Sequence, residues 1–485
     1  AISQMKLAFI AREITPSAST GGLAEVAGAL PQVLAEEGHQ VFRFMPCYRQ
    51  VLEGPRALQS TGIRIAVPVG MRNYSADILS VEEGGVTTYF VRRDEFFDRA
   101  QLYNLPERDY EDNFERFVFF QKVVVALIDH MDLRPDIVHC NDWQTGLIPY
   151  FLEYDMNGRR RGRREKLVFT LHNIAYQGLF PDSDFALTNL PFNAYSVNTF
   201  EYYGKMSCLK AGITGSDWIT TVSPTYAKEI LTPEHGFGLD GLLRSLQERF
   251  SGLLNGIDTT LWNPASDPNI AANYEAKNSA GKKLCRARLL SRMNVKAAPT
   301  TTVVSMVSRL VDQKGFDLLS SCMAEVMKRD VAFILLGSGQ KEYEHLATGW
   351  AKTWPGRVGV RIGYNAGLAH EIQAGSDVML IPSQVEPCGL TQFCSQRYGT
   401  LPLVHAVGGL ADTVIDADLD SARGTGIAFS DYTEGALLDA LDRSVVLLQN
   451  PARRADVMQR MMTLDLSWSA AAREYCAVYK RLMGR

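Results

Sequence analysis

Two segments of this 485-residue chain place charged side chains directly after apolar, strand-like runs. The segment VSRLVDQKG contains Arg309 and Lys314, and the segment IPSQVEPCGLTQF contains Glu386. A guanidinium fork and an ammonium point charge together suit the oxygens of a diphosphate. The Gly-Leu-Thr sequence after Glu386 is placed to open a helix, whose first N–H groups favour an anion. The alternative, a solvated carboxylate and solvated cations, is reasonable for Lys314 alone and weaker for the pair.

Two earlier segments carry side chains that suit sugar hydroxyls. VHCNDWQTGL places Asp142 and Trp143 at the end of a strand-like run, and TLHNIAYQG does the same for His172 and Asn173. Carboxylates and imidazoles bind hydroxyl groups, and an indole stacks on the face of a pyranose ring. Taken singly, a capped loop histidine and a tryptophan packed in the core are at least as good interpretations. Together these residues favour a polyol site.

The segment TPSASTGGLAEVAGALP, residues 15–31, predicts a strand end, a glycine turn and a helix. Gly21 and Gly22 allow the backbone to approach an anion closely, and the helix N-terminus supplies donors. The turn around Ser19 has no cation of its own, and a glycine pair at such a turn is more often simple geometry. The later segment HAVGGLADTV repeats the turn-to-helix pattern with Gly408 and Gly409.

The elements that position these residues form two series of apolar runs that alternate with helical patterns. The runs are KLAFIA, HQVFRFMP, DIVHCND, KLVFTLHN and WITTVSP, and then TTVVSMVS, VAFILLG, RVGVRIGY and DVMLIPS. Continuous apolar runs predict parallel strands buried on both faces. The series are separated by GLLNGIDTTLWNP, which predicts a domain boundary near Ser251. Ligands of such doubly wound α/β sheets bind beyond the carboxyl ends of the strands, where the motifs lie.

Composition excludes several classes of protein. The chain has 46% hydrophobic and 21% charged residues and a net charge of −4, which gives no reason to expect nucleic acid or an anionic membrane as a partner. The longest apolar run, FVFFQKVVVALI, is shorter than the ~20 residues of a membrane span. The eight cysteines form no C-x-x-C pair, which argues against a zinc site or a disulfide framework. We therefore expect a reducing location, the cytoplasm or a plastid stroma.

The motifs occur in an order that strongly resembles bacterial glycogen synthases and plant starch synthases. They are S/T-x-G-G-L, H-x-x-D-W, L-H-N-x-A-Y-Q-G, V-S-P-T-Y-A-K-E-I, N-G-I-D-x-x-x-W-N-P, S-R-L-x-x-Q-K-G, E-P-C-G-L-T-Q and G-G-L-A-D-T-V, from Met5 to the last helix. The resemblance implies an α/β protein of the GT-B class, with two Rossmann-like doubly wound domains facing across a deep cleft. The expected divisions are residues 1–250 on the glucan acceptor side, residues 251–465 for the sugar-nucleotide donor, and residues 466–485 as a helix that returns to the first domain.

The resemblance also implies an activity and a role for each matching residue. The family transfers glucose from ADP-glucose to the non-reducing end of an α-1,4-glucan with retention of configuration, releases ADP, and uses no metal or cofactor. The implied catalytic residues are Glu386 against the donor glucose, Arg309 and Lys314 on the diphosphate, His172 at the reacting centre and Asp142. The implied donor-binding residues are Ser19, Gly21, Gly22, Gly337, Gly389, Leu390, Thr391 and Tyr364, with Tyr364 stacked on adenine. The implied acceptor-binding residues are Trp143, Asn173 and Asn255.

Several positions depart from the family pattern. Ser19 stands where the family has a lysine near the donor phosphates, Glu25 replaces an aspartate, and Arg12 replaces a serine or alanine. Gln384 and Val385 replace the residues usual before E-P-C-G-L. Loss of one charged hydrogen bond to a phosphate costs about 1.5–3 kcal/mol, so we expect weakened or retuned donor handling rather than no catalysis. One hypothesis is that Arg12 supplies the missing charge.

Three alternatives remain open at this point. In the first, the chain is a catalytically weak glucan-binding homologue, an interpretation that the serine at position 19 favours. In the second, it is a sugar-nucleotide transferase that makes a small saccharide. A phosphorylase is less favoured, because the context of its pyridoxal lysine is missing. The sequence does not decide between ADP-glucose and UDP-glucose, which glucan is extended, or the oligomeric state.

Overall fold

A computed structural model describes residues 4–19, 21–105 and 108–484. The chain forms two compact units. Unit 1 comprises Ala1–Val222, Ala227–Leu253 and Ala471–Arg485, and unit 2 comprises Ser223–Tyr226 and Leu254–Ala470. The last residues of the chain therefore belong to the same unit as the first.

Unit 1 is built on a nine-stranded sheet and two small ones. Its strands are β1 (Lys6–Ile10), β2 (Gln40–Pro46), β3 (Gln59–Val69), β4 (Arg72–Glu83), β5 (Val86–Arg92), β6 (Asn104–Leu105), β7 (Arg108–Asp109), β8 (Ile137–Asn141), β9 (Lys166–Leu171), β10 (Leu179–Pro181), β11 (Glu201–Tyr202), β12 (Lys205–Ser207), β13 (Trp218–Thr221) and β14 (Phe250–Gly252). The large sheet has the order β14-β13-β9-β8-β1-β2-β5-β4-β3. The strands from β14 to β5 are parallel, as the apolar runs predict for β13, β9, β8, β1 and β2; strands β14 and β5 were not predicted.

The other edge of this sheet corrects the prediction of purely parallel sheets. Strands β3 and β4 pair antiparallel with each other, and β4 pairs antiparallel with β5. Along β3, exposed side chains alternate with less exposed ones over most of its length. Alternation with a period of two and one solvated face is typical of antiparallel strands. A search for continuous apolar runs identifies the buried parallel strands but does not identify this edge.

Helices of unit 1 before its final one pack on both the parallel part and the antiparallel edge of this sheet. They are α1 (Gly22–Glu36), α2 (Arg49–Leu52), α3 (Asp94–Phe97), α4 (Asn113–His130), α5 (Ile148–Glu153), α6 (Cys208–Gly215), α7 (Pro224–Glu229), whose first residues are assigned to unit 2, and α8 (Asp240–Ser245). Short 3-10 helices span Trp143–Thr145, Asp182–Thr188, Phe192–Ala194 and Gln247–Arg249.

Helix α1 follows the glycine turn and contains an interior proline that a buried arginine compensates. Pro31 has no N–H, so the carbonyl of Ala27, four residues earlier, lacks its usual helical donor. Arg43 of β2 is 1% exposed, and its Nη1 donates to the carbonyls of Ala27 and Gly28 at 3.3 and 3.1 Å. The guanidinium thus replaces the missing hydrogen bond and ties α1 to the centre of the sheet.

Unit 2 contains a six-stranded, fully parallel sheet. Its strands are β15 (Thr302–Leu310), β16 (Val331–Gly339), β17 (Val358–Ile362), β18 (Val378–Ile381), β19 (Leu401–His405) and β20 (Ile427–Phe429), in the order β17-β16-β15-β18-β19-β20. Its helices are α9 (Gly281–Arg292), α10 (Phe316–Val326), α11 (Lys341–Thr353), α12 (Ala366–Gly375), α13 (Thr391–Arg397), α14 (Gly408–Thr413), α15 (Glu434–Gln449) and α16 (Pro451–Met462), and a 3-10 helix spans Asp312–Lys314.

Two apolar layers enclose the sheet of unit 2. One contains side chains of α10, α11, α15 and α16, and the other contains side chains of α9, α12 and α14. Strands covered on both faces have no reason to alternate polar and apolar residues, which explains the continuous apolar runs in the sequence.

The last helix, α17 (Trp468–Leu482), packs on unit 1. Tyr475 and Tyr479 are 0 and 1% exposed, and the Tyr479 hydroxyl lies 2.7 Å from Nδ1 of His139 on β8. Among the described residues, every helix is too short or too polar to cross a bilayer.

Candidate active site

The carboxyl ends of β15 and β18 enclose a pocket in unit 2. Its volume is about 100 Å³, and its lining comprises Met306, Val307, Ser308, Arg309, Lys314, Leu380, Ile381, Pro382, Ser383, Glu386 and Thr391. Three of the predicted catalytic residues, Arg309, Lys314 and Glu386, therefore lie together. The pocket is at the position where parallel α/β sheets bind ligands.

Two donors hold the Glu386 carboxylate in this pocket. Lys314 Nζ lies 2.6 Å from Glu386 Oε2, and Ser383 Oγ donates to the same oxygen at 3.0 Å. The side chains of Lys314 and Glu386 are only 20 and 10% exposed. A buried ion pair contributes little net stability but fixes geometry, and removal of one partner leaves an uncompensated charge. Ser383 lies within a segment that the sequence singles out, but its role was not predicted.

The second glycine turn, at Gly408 and Gly409, contacts the backbone of the loop that carries Glu386. The Gly409 N–H donates to the carbonyls of Glu386 and Pro387 at 3.0 and 3.1 Å. A Cβ atom at Gly408, where φ is +47°, would lie 1.8 Å from the Glu386 carbonyl oxygen. Gly408 and Gly409 thus hold the Glu386 backbone, and their likeness in sequence to the first turn does not reflect a similar structural role.

Arg309 differs from Lys314 in having an exposed side chain. Within the described parts of the chain, its guanidinium makes no hydrogen bond or ion pair, so its donors are available to a ligand. Arg309 pairs in register with Ser338 on β16. A Cβ atom at Gly337 would lie 2.0 Å from the Ser308 carbonyl oxygen, so close strand packing alone requires glycine there.

The remaining predicted donor residues occupy loops and helix starts. Thr391 begins α13 and lines the pocket, and it follows Leu390 and Gly389, whose φ is +77°. Tyr364 follows β17, is 87% exposed and is not part of the pocket lining. Ser19 is exposed in the first glycine turn of unit 1.

Arg56 is bonded to the segment that leads into the first glycine turn. Its Nη1 donates to Ser17 Oγ at 2.8 Å, and its Nη2 lies 2.5 Å from Glu83 Oε2. Gly21 caps α1 without a side-chain hydrogen bond, and Thr20 lies outside the described residues. The positive charge bonded to this loop is thus already paired within unit 1.

In unit 1, Asp142 has a backbone conformation that is favourable for glycine alone. Its φ and ψ are 60° and −179°, at the point where the chain leaves β8. Its N–H donates to the Thr170 carbonyl at 3.0 Å, and its carbonyl accepts from the N–H and Oγ1 of Thr145, both at 3.1 Å. Such a conformation costs about 1–3 kcal/mol and persists only where the surroundings enforce it, typically at functional sites.

This backbone turn directs the Asp142 carboxylate at two neighbours. Oδ1 accepts the His172 N–H at 2.8 Å, and Oδ2 lies 4.0 Å from Nη2 of Arg12. Burial raises the pKa of Asp142 to about 6, although the Arg12 charge and the His172 N–H both favour the carboxylate. Asp142 thus loses its proton less readily than an exposed aspartate does.

His172 is a neutral imidazole with one tautomer. Burial and the Arg12 charge lower its pKa to about 3. Asn141 Nδ2 donates to the Ile10 carbonyl at 3.0 Å, which leaves Asn141 Oδ1 as an acceptor 3.0 Å from His172 Nε2. The ring proton is therefore on Nε2, and Nδ1 is left as an acceptor, which suits a sugar hydroxyl.

Arg12 is surrounded by acidic and aromatic groups of unit 1. Its Nη2 lies 3.5 Å from Glu13, and its guanidinium lies 4.6 Å from the centre of the Tyr103 ring. Burial works against its charge, but Tyr103, Glu13 and Asp142 together raise the pKa of Arg12. The Arg12 cation therefore acts electrostatically on both Asp142 and His172. Glu13 and Tyr103 carried no signal in the sequence.

The predicted acceptor residues are less uniform. Trp143 packs edge-on against Phe117 at 5.3 Å and lies so close to Gly178 that a Cβ atom there would be 2.5 Å from the indole. The core interpretation of Trp143 thus holds for much of its surface. Asn173 Oδ1 accepts the Ala175 N–H at 3.0 Å and shapes its own turn. Asn255 belongs to unit 2, and its buried Oδ1 has no hydrogen-bond partner among the described residues.

One group of ligand-type side chains lies elsewhere in unit 1. Glu37, His39 and Cys476 bring their ligand atoms within 4.8 Å of one another. The Met5 N–H donates to His39 Nδ1 at 3.2 Å, which places the ring proton on Nε2, the nitrogen that faces Cys476. A protonated nitrogen does not bind a metal, and burial raises the pKa of the Cys476 thiol to about 12. The group therefore suits the docking of α17 better than a metal ion.

Comparison with known families assigns both units. Residues 6–245 match the starch synthase catalytic domain, and residues 291–460 match the glycosyl transferases group 1 family. The chain is 42% identical over 479 residues to a glycogen synthase of Opitutus terrae, with 98% of this chain and 99% of that protein covered. It is 43% identical over 479 residues to a glycogen synthase of Anaeromyxobacter dehalogenans, with 99% of both chains covered.

Solved structures agree with these sequence matches. The catalytic domain of starch synthase IV from Arabidopsis thaliana, bound to ADP and acarbose, superposes with a TM-score of 0.92 at 30% identity and full coverage of both chains. A sucrose-phosphate synthase from Thermosynechococcus elongatus has a TM-score of 0.61 at 18% identity, with 99 and 100% coverage, and shares the GT-B fold.

Proposed function

Because this chain belongs to the glycogen and starch synthase family, we propose that it transfers glucose from ADP-glucose to the non-reducing end of an α-1,4-glucan with retention of configuration. One observation carries the proposal. Arg309, Lys314 and Glu386 meet in a pocket at the carboxyl ends of β15 and β18. The Arabidopsis relative binds ADP and acarbose, which supports a nucleoside diphosphate and a glucan as the corresponding ligands.

The charges of the pocket match the needs of this reaction. Departure of ADP from the anomeric carbon builds negative charge on a phosphate oxygen and positive charge on the sugar. In the proposal, Arg309 and Lys314 neutralise the phosphate, and Glu386 lies against the donor glucose. The acceptor attacks from the same face, and the leaving phosphate accepts its proton. Positioned cations supply the electrostatic stabilisation, so we propose that no metal is required and that a chelator leaves the rate unchanged.

Unit 1 contributes hydroxyl recognition in this proposal. The free acceptor nitrogen of His172 binds a sugar hydroxyl, and Asp142 fixes the His172 backbone through its 2.8 Å hydrogen bond. In this proposal the pocket residues of unit 2 act on the diphosphate, and Asp142 and His172 of unit 1 act on the sugars. All eight cysteines are buried as free thiols, which supports a proposed location in the cytoplasm or a plastid stroma.

Incorporation of label from ADP-[¹⁴C]glucose into glycogen tests the function. Lys314→Met and Arg309→Ala are each expected to lower incorporation about ten- to a hundredfold, because each removes a charged contact to phosphate. Lys352→Met, on the exposed surface of α11, is the matched control and retains activity. Products of uniform short length would instead indicate a small-saccharide transferase. Glycogen binding without incorporation from ADP-glucose or UDP-glucose would indicate a binding homologue.

The departure at Ser19 has its own test. Ser19→Lys restores the family cation and is expected to lower the KM for ADP-glucose about ten- to a hundredfold. If Arg12 compensates, Arg12→Ala raises this KM in the wild-type background and has less effect in the Ser19→Lys background. An Arg12→Ala variant with unchanged kcat and KM, beside a Ser19→Lys variant that changes both, would contradict compensation.

A further inference from the structure

Side chains that the proposed function does not use join two of the sequence motifs in unit 2. Thr225 belongs to V-S-P-T-Y-A-K-E-I, and Asp412 belongs to G-G-L-A-D-T-V. Asp412 Oδ2 accepts the Thr225 N–H at 2.8 Å, and Asp412 Oδ1 accepts the Thr225 hydroxyl at 2.7 Å. Both oxygens of the carboxylate therefore bind one residue, from which Asp412 is 187 positions away in the chain.

Ser223 adds a further hydrogen bond from the same motif. Its Oγ donates to the Pro387 carbonyl at 2.6 Å and accepts the Tyr226 N–H at 3.1 Å. A serine before a proline, with its hydroxyl bonded to an N–H three residues ahead, is a common helix start, and here it begins α7. The residue is fully buried, so water does not replace these partners freely. The start of α7 is therefore fixed to the residue that follows Glu386.

These contacts bear on the Glu386 loop in two ways. Ser223 acts directly, because it binds the Pro387 carbonyl. Asp412 acts indirectly, because it lies on α14, whose Gly409 N–H donates to the carbonyls of Glu386 and Pro387. The start of α7 therefore contacts both the loop that carries Glu386 and the helix that binds the backbone of this loop.

We propose that Ser223, Thr225 and Asp412 are positioning residues that keep the Glu386 backbone, and with it the carboxylate, in the arrangement needed for glucosyl transfer. The described residues that line the pocket do not include these three, so they act through Pro387 and α14. The catalytic part of this inference rests on the proposed function. The part that concerns the attachment of α14 to Thr225 does not, because it follows from the hydrogen bonds alone.

Hydrogen exchange of the full chain, followed by mass spectrometry of peptic peptides, tests this attachment without reference to activity. Asp412→Ala removes both acceptors of Thr225 and is expected to speed exchange in the α14 peptide at least about tenfold. The peptide of α15 is the internal control and keeps its wild-type exchange. Asp412→Asn is expected to keep α14 protected, because its amide accepts the Thr225 N–H and donates to the hydroxyl. Wild-type exchange of α14 in Asp412→Ala would overturn the proposal whatever the enzyme's activity.

Rate measurements with ADP-glucose test the effect on Glu386. A displacement of about 1 Å at a reacting group costs up to about a hundredfold in rate, so Asp412→Ala is expected to lower kcat about ten- to a hundredfold, well below its Tm. The Kd of ADP, measured by titration calorimetry, is expected to stay within about threefold of the wild type, because the proposed diphosphate contacts remain. Asp412→Asn is expected to retain kcat.

The matched control for these measurements is Asp442→Ala. Asp442 also accepts two hydrogen bonds from one residue of unit 2, Arg329, at 2.7 and 3.0 Å, and its removal should leave kcat unchanged. A wild-type kcat in Asp412→Ala, or an equal loss of ADP affinity, would refute the positioning role. A wild type that transfers no glucose would overturn the proposed function and the catalytic part of this inference, while exchange of α14 still decides the attachment.

Substitutions at the start of α7 test the other side of these contacts. Thr225→Val removes the hydroxyl and is expected to lower kcat, whereas Thr225→Ser retains it. In the Asp412→Ala background, Thr225→Val should have no further effect, and additive losses would refute the link between the two residues. Ser223→Gly removes the donor to Pro387, although glycine is an acceptable helix start, and is expected to lower kcat. A wild-type kcat in this variant would refute the role of Ser223.

Discussion

The backbone of Asp142 predicts a reversal of the usual ranking of alanine and glycine. Asp142→Ala and Asp142→Gly both remove the carboxylate and its hydrogen bond to the His172 N–H. They differ only in the Cβ atom, which at φ 60° and ψ −179° is the source of the strain. The difference in stability between the two variants therefore isolates the cost of the backbone conformation from the loss of the side chain.

The magnitude follows from two opposing effects. Relief of the strained conformation is worth about 1–3 kcal/mol. The greater freedom of glycine in the unfolded chain costs about 0.5–1 kcal/mol relative to alanine. We therefore expect Asp142→Gly to be the more stable variant by about 0.5–2 kcal/mol, and each kcal/mol corresponds to about 2–4 °C in Tm for a unit of this size.

Thermal unfolding of both variants at pH 7, followed by scanning calorimetry, measures this difference. Ala287→Gly on the exposed face of α9 is the control for an unstrained position inside a helix, where glycine costs about 1 kcal/mol. Neither Asp142 variant is expected to transfer glucose at the wild-type rate. An Asp142→Ala variant as stable as Asp142→Gly, or more stable, would refute the assignment of strain to this residue.

Three further changes test the surroundings of Asp142 and of Glu386. Arg12→Met removes a cation that lowers the pKa of Asp142, so this pKa rises above about 6. The acid limb of the activity profile, where the Asp142 carboxylate is lost as pH falls, therefore moves to higher pH. An unchanged acid limb would contradict the contact between Arg12 and Asp142. Lys314→Met leaves the buried Glu386 carboxylate without its ion-pair partner. This change is expected to lower the free energy of unfolding, measured by calorimetry, by about 3–5 kcal/mol and to lower activity as well. A wild-type Tm would show that the carboxylate relaxes to solvent. Gly409→Ala sets a Cβ atom 2.0 Å from a backbone oxygen and is expected to lower Tm and kcat together. The control is Gly435→Ala in α15, which has open space around it and is expected to stabilise the protein by up to about 1 kcal/mol.

Although β5, β14, β19 and β20 were not among the predicted runs, the sequence predicts five parallel strands of unit 1 and four of unit 2, including β15 and β18, which carry the pocket residues. It does so because strands buried on both faces must be apolar throughout, and because ligands bind where those strands end. The antiparallel edge formed by β3, β4 and β5 was missed, since its alternating pattern differs from the one that identifies buried strands. The assignment of the chain to its family, made from ordered motifs, is confirmed by matches along both units.

Other features depend on contacts that no local pattern specifies. The segments around Gly22 and Gly409 share the letters GGLA, yet the first begins the long helix α1 with two exposed glycines and the second holds the Glu386 carbonyl. The left-handed φ of Asp142 is enforced by backbone partners on β9 and in the following turn, not by its own preference. Likewise, Arg43 binds the carbonyl freed by Pro31, although the two lie on different elements.

The assignment of the last helix, from Ala471 onwards, to unit 1 has a consequence for synthesis on the ribosome. The other segments of unit 1 are complete at Leu253, but α17 ends roughly 230 residues later, at Leu482. At about 5–20 residues per second, the earlier part waits about 10–45 s for its final element. During that interval the nascent chain exposes the apolar surface that Tyr475 and Tyr479 later cover, including the ring of His139. We therefore expect chaperone binding to be greatest for nascent chains that end before α17 and to fall once this helix has left the ribosome.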